Sequence, residues 1–222
     1  LRKKQMKLKL FFTSFFIAHL FLCSTVFAQT KTFKNNSAHK DWRAPETLQV
    51  LFKTNKGNFI IQSYRSWAPL AADRFYTLVK KGFYTNIYIF RVEKDYVVQF
   101  GISDNPKESS FWDKARLKDE PVIQKHKRGM VAFARSEKNS RTTQLFVNMQ
   151  DNAKLDTTMR EGVHGYPPFG KVISGMHVFF QLNDQYAKRI LPLQDSIYRY
   201  GNQYLVQHFP GLDKIISATI IR

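Results

Sequence analysis

The sequence predicts a mainly β protein, a closed antiparallel eight-stranded barrel capped by two α-helices and lengthened by an extended segment near its carboxyl end. Three observations predict it. Eight runs of four to seven residues are rich in β-branched and aromatic side chains, only two stretches have good helical character, and turn-forming residues punctuate the rest.

Residues 48–54 and 59–64 are two such runs separated by Asn55-Lys56-Gly57-Asn58, a tight-turn composition that makes them a hairpin. Pro69 then stands just inside a helix whose apolar residues Ala71, Phe75, Leu78 and Val79 recur at helical spacing, with Gly82 as its stop. Strands follow at 86–92 and 96–101, joined by the charged turn Glu93-Lys94-Asp95. Residues 102–127 read as a polar surface loop with one helical turn near Trp112. Strands at 130–134 and 144–148 flank a polar loop, and 151–165 is loop again. A short strand at 169–172 precedes helical potential over 175–182. The segment 183–212 is Tyr- and Gln-rich, contains Pro192 and Pro210, and has weak helical periodicity. A last strand, 215–221, closes the chain.

Arg91 is the anomaly in this pattern. A guanidinium keeps its proton, so an arginine planted among Tyr88, Ile89, Phe90 and Val92 needs fixed hydrogen-bond partners or a ligand. A structural ion pair would satisfy it; so would a substrate. Gln99 would face it from the neighbouring strand.

The amino terminus addresses compartment. Arg2, Lys3, Lys4, Lys7 and Lys9 form a cationic head before the apolar run 10–22, and Val26-Phe27-Ala28 offers small residues where a signal peptidase reads. Residues 1–28 are therefore expected to be a cleaved secretory signal, leaving a 194-residue product that starts at Gln29 and is destined for the periplasm or the exterior. Residues 29–45 read as a flexible lead-in, and 46–222 as one domain. The only cysteine, Cys23, lies inside the signal, so disulfide and thiol chemistry are not expected. Removal of the five basic head residues lowers the formal charge from +18 to +13. Those charges are dispersed and fit no nucleic-acid module; weak contact with an anionic envelope surface is the expectation.

Other chemistries find little support. The six histidines lack metal-site spacing, so no metal or other cofactor is expected. No G-x-S-x-G elbow is present. Gly165-Tyr166-Pro167-Pro168-Phe169-Gly170-Lys171-Val172 imitates a phosphate loop in spacing only, because two prolines delete amide donors. An arginine in apolar surroundings without a nucleophile or general base suits rotation about an X-Pro bond, which breaks no covalent bond.

Three collinear segments carry a resemblance to the cyclophilin family of peptidyl-prolyl cis/trans isomerases. They are Ile89-Phe90-Arg91-Val92 with Tyr96-Val97-Val98-Gln99-Phe100-Gly101, Ala134 through Gln144-Leu145-Phe146-Val147, and Pro168-Phe169-Gly170-Lys171-Val172-Ile173-Ser174-Gly175-Met176. The resemblance covers about residues 47–182. It implies that Arg91 is catalytic and that Gln99 helps hold it. Tyr96, Val97, Phe146, Leu155 and Tyr166 would form the proline pocket, and Ala134, Arg135 and Gln144 the neighbouring groove. The implied partners are proline-containing polypeptide clients, met by a monomer. Lys154 replaces the aromatic residue that helps hold cyclosporin, so weak sensitivity to that drug is expected. A non-catalytic exported chaperone or proline-peptide binding module on the same barrel remains the alternative.

Overall fold

The computed structural model describes residues 41–222. The signal-like segment 1–28 and the lead-in through residue 40 lie outside them. The first two strands, β1 (Thr47–Thr54) and β2 (Gly57–Tyr64), form the expected hairpin, with Thr54 opposite Gly57 across the turn Asn55-Lys56. Helix α1 (Pro69–Lys80) opens on Pro69 and buries Ala71, Phe75, Leu78 and Val79. Then come β3 (Ile87–Val92), β4 (Val97–Phe100), α2 (Pro106–Lys114), β5 (Met130–Phe133) and β6 (Leu145–Asn148). A short α3 (Lys154–Thr157) leads into a two-residue hairpin, β7 (Met159–Arg160) and β8 (Val163–His164). Strand β9 (Pro168–Ser174), helix α4 (Met176–Phe180), helices α5 (Ala187–Ile190), α6 (Gln194–Tyr200) and α7 (Asn202–His208), and strand β10 (Lys214–Ile220) complete the chain.

Eight strands close a barrel in the order β1-β10-β3-β4-β6-β5-β9-β2, and each pairing is antiparallel. Closure leaves no sheet edge. The interior is apolar: Val50, Phe52, Phe59 and Ile61 from the first hairpin meet Phe100, Val131, Phe133, Val147 and Phe169. Phe52 stacks on Phe59 with ring centres 4.9 Å apart. Helix α1 lies against β2, β9 and β10, and α4 against β2.

Three expectations need correction. Besides α1 and α4, the described residues hold five helices of four to nine residues, α2, α3 and α5 to α7. Helix α2 extends the single turn expected near Trp112 to nine residues, because Pro106 serves as its first helical residue and the Asn105 side chain accepts the Lys107 N–H. The segment 183–212, read as an extended insertion with weak helical periodicity, is compact. It folds into α5, α6 and α7 and builds its own apolar cluster of Tyr186, Ile190, Ile197, Leu205 and Phe209 on Phe90 and Ile102 of the barrel's outer face. The folded part also starts before Glu46. The Trp42 N–H donates to Thr77 Oγ1 at 2.7 Å, and the Ala44 N–H to Asp73 Oδ1 at 2.8 Å, so residues 41–45 dock on α1.

Candidate active site

A cleft of about 640 Å³ lies on the outer face of the β3-β4-β6-β5 arc, and all ten residues singled out from the sequence line it: Arg91, Tyr96, Val97, Gln99, Ala134, Arg135, Gln144, Phe146, Leu155 and Tyr166. Strand alternation explains most of that convergence. On β4, Val98 and Phe100 enter the barrel core while Val97 and Gln99 face the cleft; on β6, Leu145 and Val147 go inward and Phe146 outward.

Arg91 reaches the cleft through a bulge. Ile89 pairs with Phe100 and Arg91 with Gln99, so Phe90 is an extra residue in β3. Ile89 and Val92 can then both join the barrel core. Phe90 turns to the outer cluster and Arg91 to the cleft.

Two partners hold the guanidinium. Its Nε donates to Glu93 Oε1 at 2.6 Å and one Nη to Gln99 Oε1 at 3.0 Å. Its carbon stands 5.4 Å from the centre of the Tyr96 ring, over its face. The remaining three of its five N–H donors have no hydrogen-bond partner among the described residues. The side chain is only 16% exposed, so an acceptor on a bound molecule would meet those donors where they are partly withdrawn from water and count for more than in bulk solvent. Burial raises the Tyr96 pKa and the Arg91 charge opposes that rise; its hydroxyl stays protonated at neutral pH.

Beside the arginine lies an apolar pocket. Val97, Phe146 and Leu155 are nearly buried, with Tyr96, Ala134 and Tyr166 packed around them. Tyr166 meets Phe146 edge to face at 5.7 Å. Under the floor, His126 stacks on Phe146 at 5.8 Å. The His126 Nδ1 accepts from Asn148 Nδ2 at 2.8 Å while its Nε2–H donates to the Tyr166 carbonyl, and Asn152 donates to the Asn148 and Tyr96 oxygens. Burial lowers the His126 pKa, so the ring is neutral, as this pair of bonds requires.

Arg135 differs from its expected use. It lines the groove, but its guanidinium donates to the carbonyls of Arg160, Val163 and Gly165 at 2.8–3.2 Å and lies 4.7 Å from the Tyr166 ring centre. These bonds staple the β7–β8 segment over the pocket.

Sequence reasoning missed several groups. Glu93, read only as part of a charged turn, holds Arg91, and further residues line the cleft. Leu191, Pro192, Gln194, Asp195 and Tyr198 come from the 183–212 segment, and Asp113 from α2. Among the described residues no group of His, Cys, Asp and Glu is placed to hold a metal.

Comparison with known proteins agrees with this geometry. Residues 49–201 match the family described as cyclophilin type peptidyl-prolyl cis-trans isomerase/CLD. The chain is 32% identical over 154 residues to peptidyl-prolyl cis-trans isomerase A of Dickeya dadantii, covering 68% of this chain and 80% of that protein. It is 38% identical over 145 residues to a peptidyl-prolyl cis-trans isomerase of Acinetobacter baylyi, covering 64% and 73%. The crystal structure of a Cryptosporidium parvum cyclophilin type peptidyl-prolyl cis-trans isomerase superposes with a TM-score of 0.57 at 20% identity, over 79% of this chain and 98% of that one. A second structure of that protein was determined in the presence of the dipeptide Ala-Pro, with a TM-score of 0.55 at 20% identity over 78% and 99%. With a bulged strand delivering one arginine beside an apolar pocket and a family match over most of the folded chain, this protein belongs to the cyclophilin-type peptidyl-prolyl cis-trans isomerases.

Proposed function

We propose that the enzyme acts on proline-containing polypeptides outside the cytoplasm, with Arg91 as the catalytic residue and the Val97, Phe146 and Leu155 pocket as the seat of the prolyl ring. The observation that carries this reading is the largely buried Arg91 guanidinium, held on two sides by Glu93 and Gln99, standing in the same cleft as that pocket.

The prolyl amide resists rotation by ~18–20 kcal/mol because the nitrogen lone pair is delocalised into the carbonyl. In the twisted transition state that lone pair localises on nitrogen. An N–H of Arg91 pointed there donates a stronger hydrogen bond than either planar ground state can accept, which is differential stabilisation. Gln99 holds the guanidinium in place; the pocket grips the ring while the groove beyond Gln144 restrains the other side. A charge-assisted bond of roughly 1.5–3 kcal/mol corresponds to about 10- to 150-fold in rate.

Exchange spectroscopy by NMR on an Ala-Pro peptide tests the reading. The parent protein is expected to exchange the cis and trans signals, and Arg91→Ala to lose about 10- to 150-fold of that rate while staying folded. An unchanged rate in the folded variant would refute the role of Arg91. Peptide binding without exchange in the parent would favour a binding module instead. Export is supported by the cationic head and apolar run of residues 1–28. Expression of the full chain should yield an extracytoplasmic protein whose first residue is Gln29; an intact amino terminus on a cytoplasmic product contradicts it.

A further inference from the structure

Gln144 is held from outside the barrel. Its Nε2 donates to Gln194 Oε1 at 2.8 Å and to the Tyr198 hydroxyl at 3.0 Å, and both partners sit on α6. Its own Oε1 accepts from Gln99 Nε2 at 2.7 Å, and Gln99 Oε1 accepts from Arg91. Gln194 in turn donates to the Leu191 carbonyl at 3.0 Å.

We propose that Gln194 and Tyr198 are positioning residues for the isomerase reaction: the 183–212 insert fixes Gln144, Gln144 fixes Gln99, and Gln99 aims the Arg91 guanidinium. The proposal rests on the catalytic reading of Arg91. A carboxamide is nearly symmetric in shape, so each of the three glutamines could turn over and exchange donor for acceptor. Here the row is bounded by an arginine that can only donate and a backbone carbonyl that can only accept. One polarity therefore satisfies every bond, and reversing any glutamine opposes donor to donor or acceptor to acceptor. Burial sharpens the constraint, because an unpaired amide costs more where water is excluded, and Gln99 is 6% exposed.

The insert is tied to the barrel at several points. Its apolar cluster grips Phe90, the residue next to Arg91. The Asn202 N–H donates to Asp104 at 2.9 Å and its side chain to the Asn86 carbonyl at 2.6 Å. Between α6 and α7, Gly201 has φ +63° and approaches Asp104 so closely that a Cβ would collide with its carbonyl oxygen. The arrangement also changes what Gln144 offers a client. Both of its N–H bonds go to α6, so it presents only spare acceptor capacity on its oxygen.

The test uses Gln194→Leu combined with Tyr198→Phe, which removes both partners of the Gln144 amide. Exchange spectroscopy on an Ala-Pro peptide is expected to show kcat lowered about tenfold with KM changed by less than about twofold, since a misaimed catalytic group affects the transition state rather than ring binding. The Arg91 Nε–H resonance should shift. A folded double variant with unchanged kcat and an unmoved Arg91 signal overturns the proposal. Should that double variant be unfolded, Tyr198→Phe alone must lower kcat measurably and move the Arg91 signal; no change in either also overturns it. Arg91→Ala run alongside separates the two failures. If it retains the parent rate, the catalytic reading falls; if it is inactive while the double variant matches the parent, only the positioning role falls.

Discussion

Single residues set how the site answers to pH. His126 is 1% exposed beneath the proline pocket, and burial lowers its pKa from the ordinary 6.5. The unfolded chain binds a proton near pH 6.5 that the folded chain refuses. Stability is therefore complete above that value and is lost as pH falls toward the lowered folded pKa. The carboxylates Asp151 and Asp184, whose pKa values are held below the ordinary 3.8 by hydrogen bonds from Lys127 and Lys94, titrate in a separate and more acidic window. Melting curves between pH 7 and pH 5 should show a falling Tm for the parent and a flatter profile for His126→Gln, which cannot take up the proton. Equal slopes would mean that the proton is absorbed elsewhere. The ring also stacks on Phe146, so a variant that leaves stability at pH 7 intact should still loosen Ala-Pro peptide binding.

At the scale of elements, α1 is tied to a loop by one carboxylate. Glu120 accepts the Leu70 and Ala71 N–H groups of the first helical turn at 2.6 and 3.1 Å, where the helix dipole favours a negative charge. It also accepts from Arg141 Nη1 at 3.0 Å, with the Arg141 side chain fully buried. Glu120→Ala removes the cap and strands a buried cation whose remaining partners are the Lys118 carbonyl and Asp119. The expected loss in urea unfolding is roughly 3–5 kcal/mol, with isomerase turnover at saturating peptide retained; a loss below about 1 kcal/mol would show that the pair is solvated. None of this was legible in the sequence, where 102–127 reads as polar loop. The strands were legible because alternation exposes which side of a sheet is buried, and Arg91 with Gln99 because a charge in an apolar run demands a partner across the ladder. The helices of 183–212 showed only as weak periodicity because Ile190, Ile197 and Leu205 are divided among pieces of four to seven residues by Pro192 and Gly201, too short for a 3.6-residue period to register strongly. Pairs such as Gln144 with Gln194 are 50 residues apart, and no local pattern marks them.

Among the described residues, two of the three apolar clusters lie on either side of β3. One fills the closed barrel; the other joins α5, α6 and α7 to Phe90 and Ile102 on its outside. Closure depends on the last strand, β10, which pairs with β1 and β3, so the insert is made before the barrel can shut. The barrel has long-range ladders on every side, whereas the insert's short helices are fixed by one modest cluster and a few capping bonds. Such a part opens at lower free energy than the whole. Native-state hydrogen exchange should therefore place the amides of β1, β2 and β9 at the global limit and those of α6 and α7 in a separate, less protected class. Ile190 is fully buried in the outer cluster, and Ile190→Ala should lower protection of that class by about 2–5 kcal/mol while leaving the barrel amides nearly unchanged. Because α6 also holds Gln144, the same variant should lose isomerase activity at urea concentrations below those that unfold the barrel. If protection instead falls uniformly and activity disappears only with the barrel, the insert and the barrel are one cooperative unit.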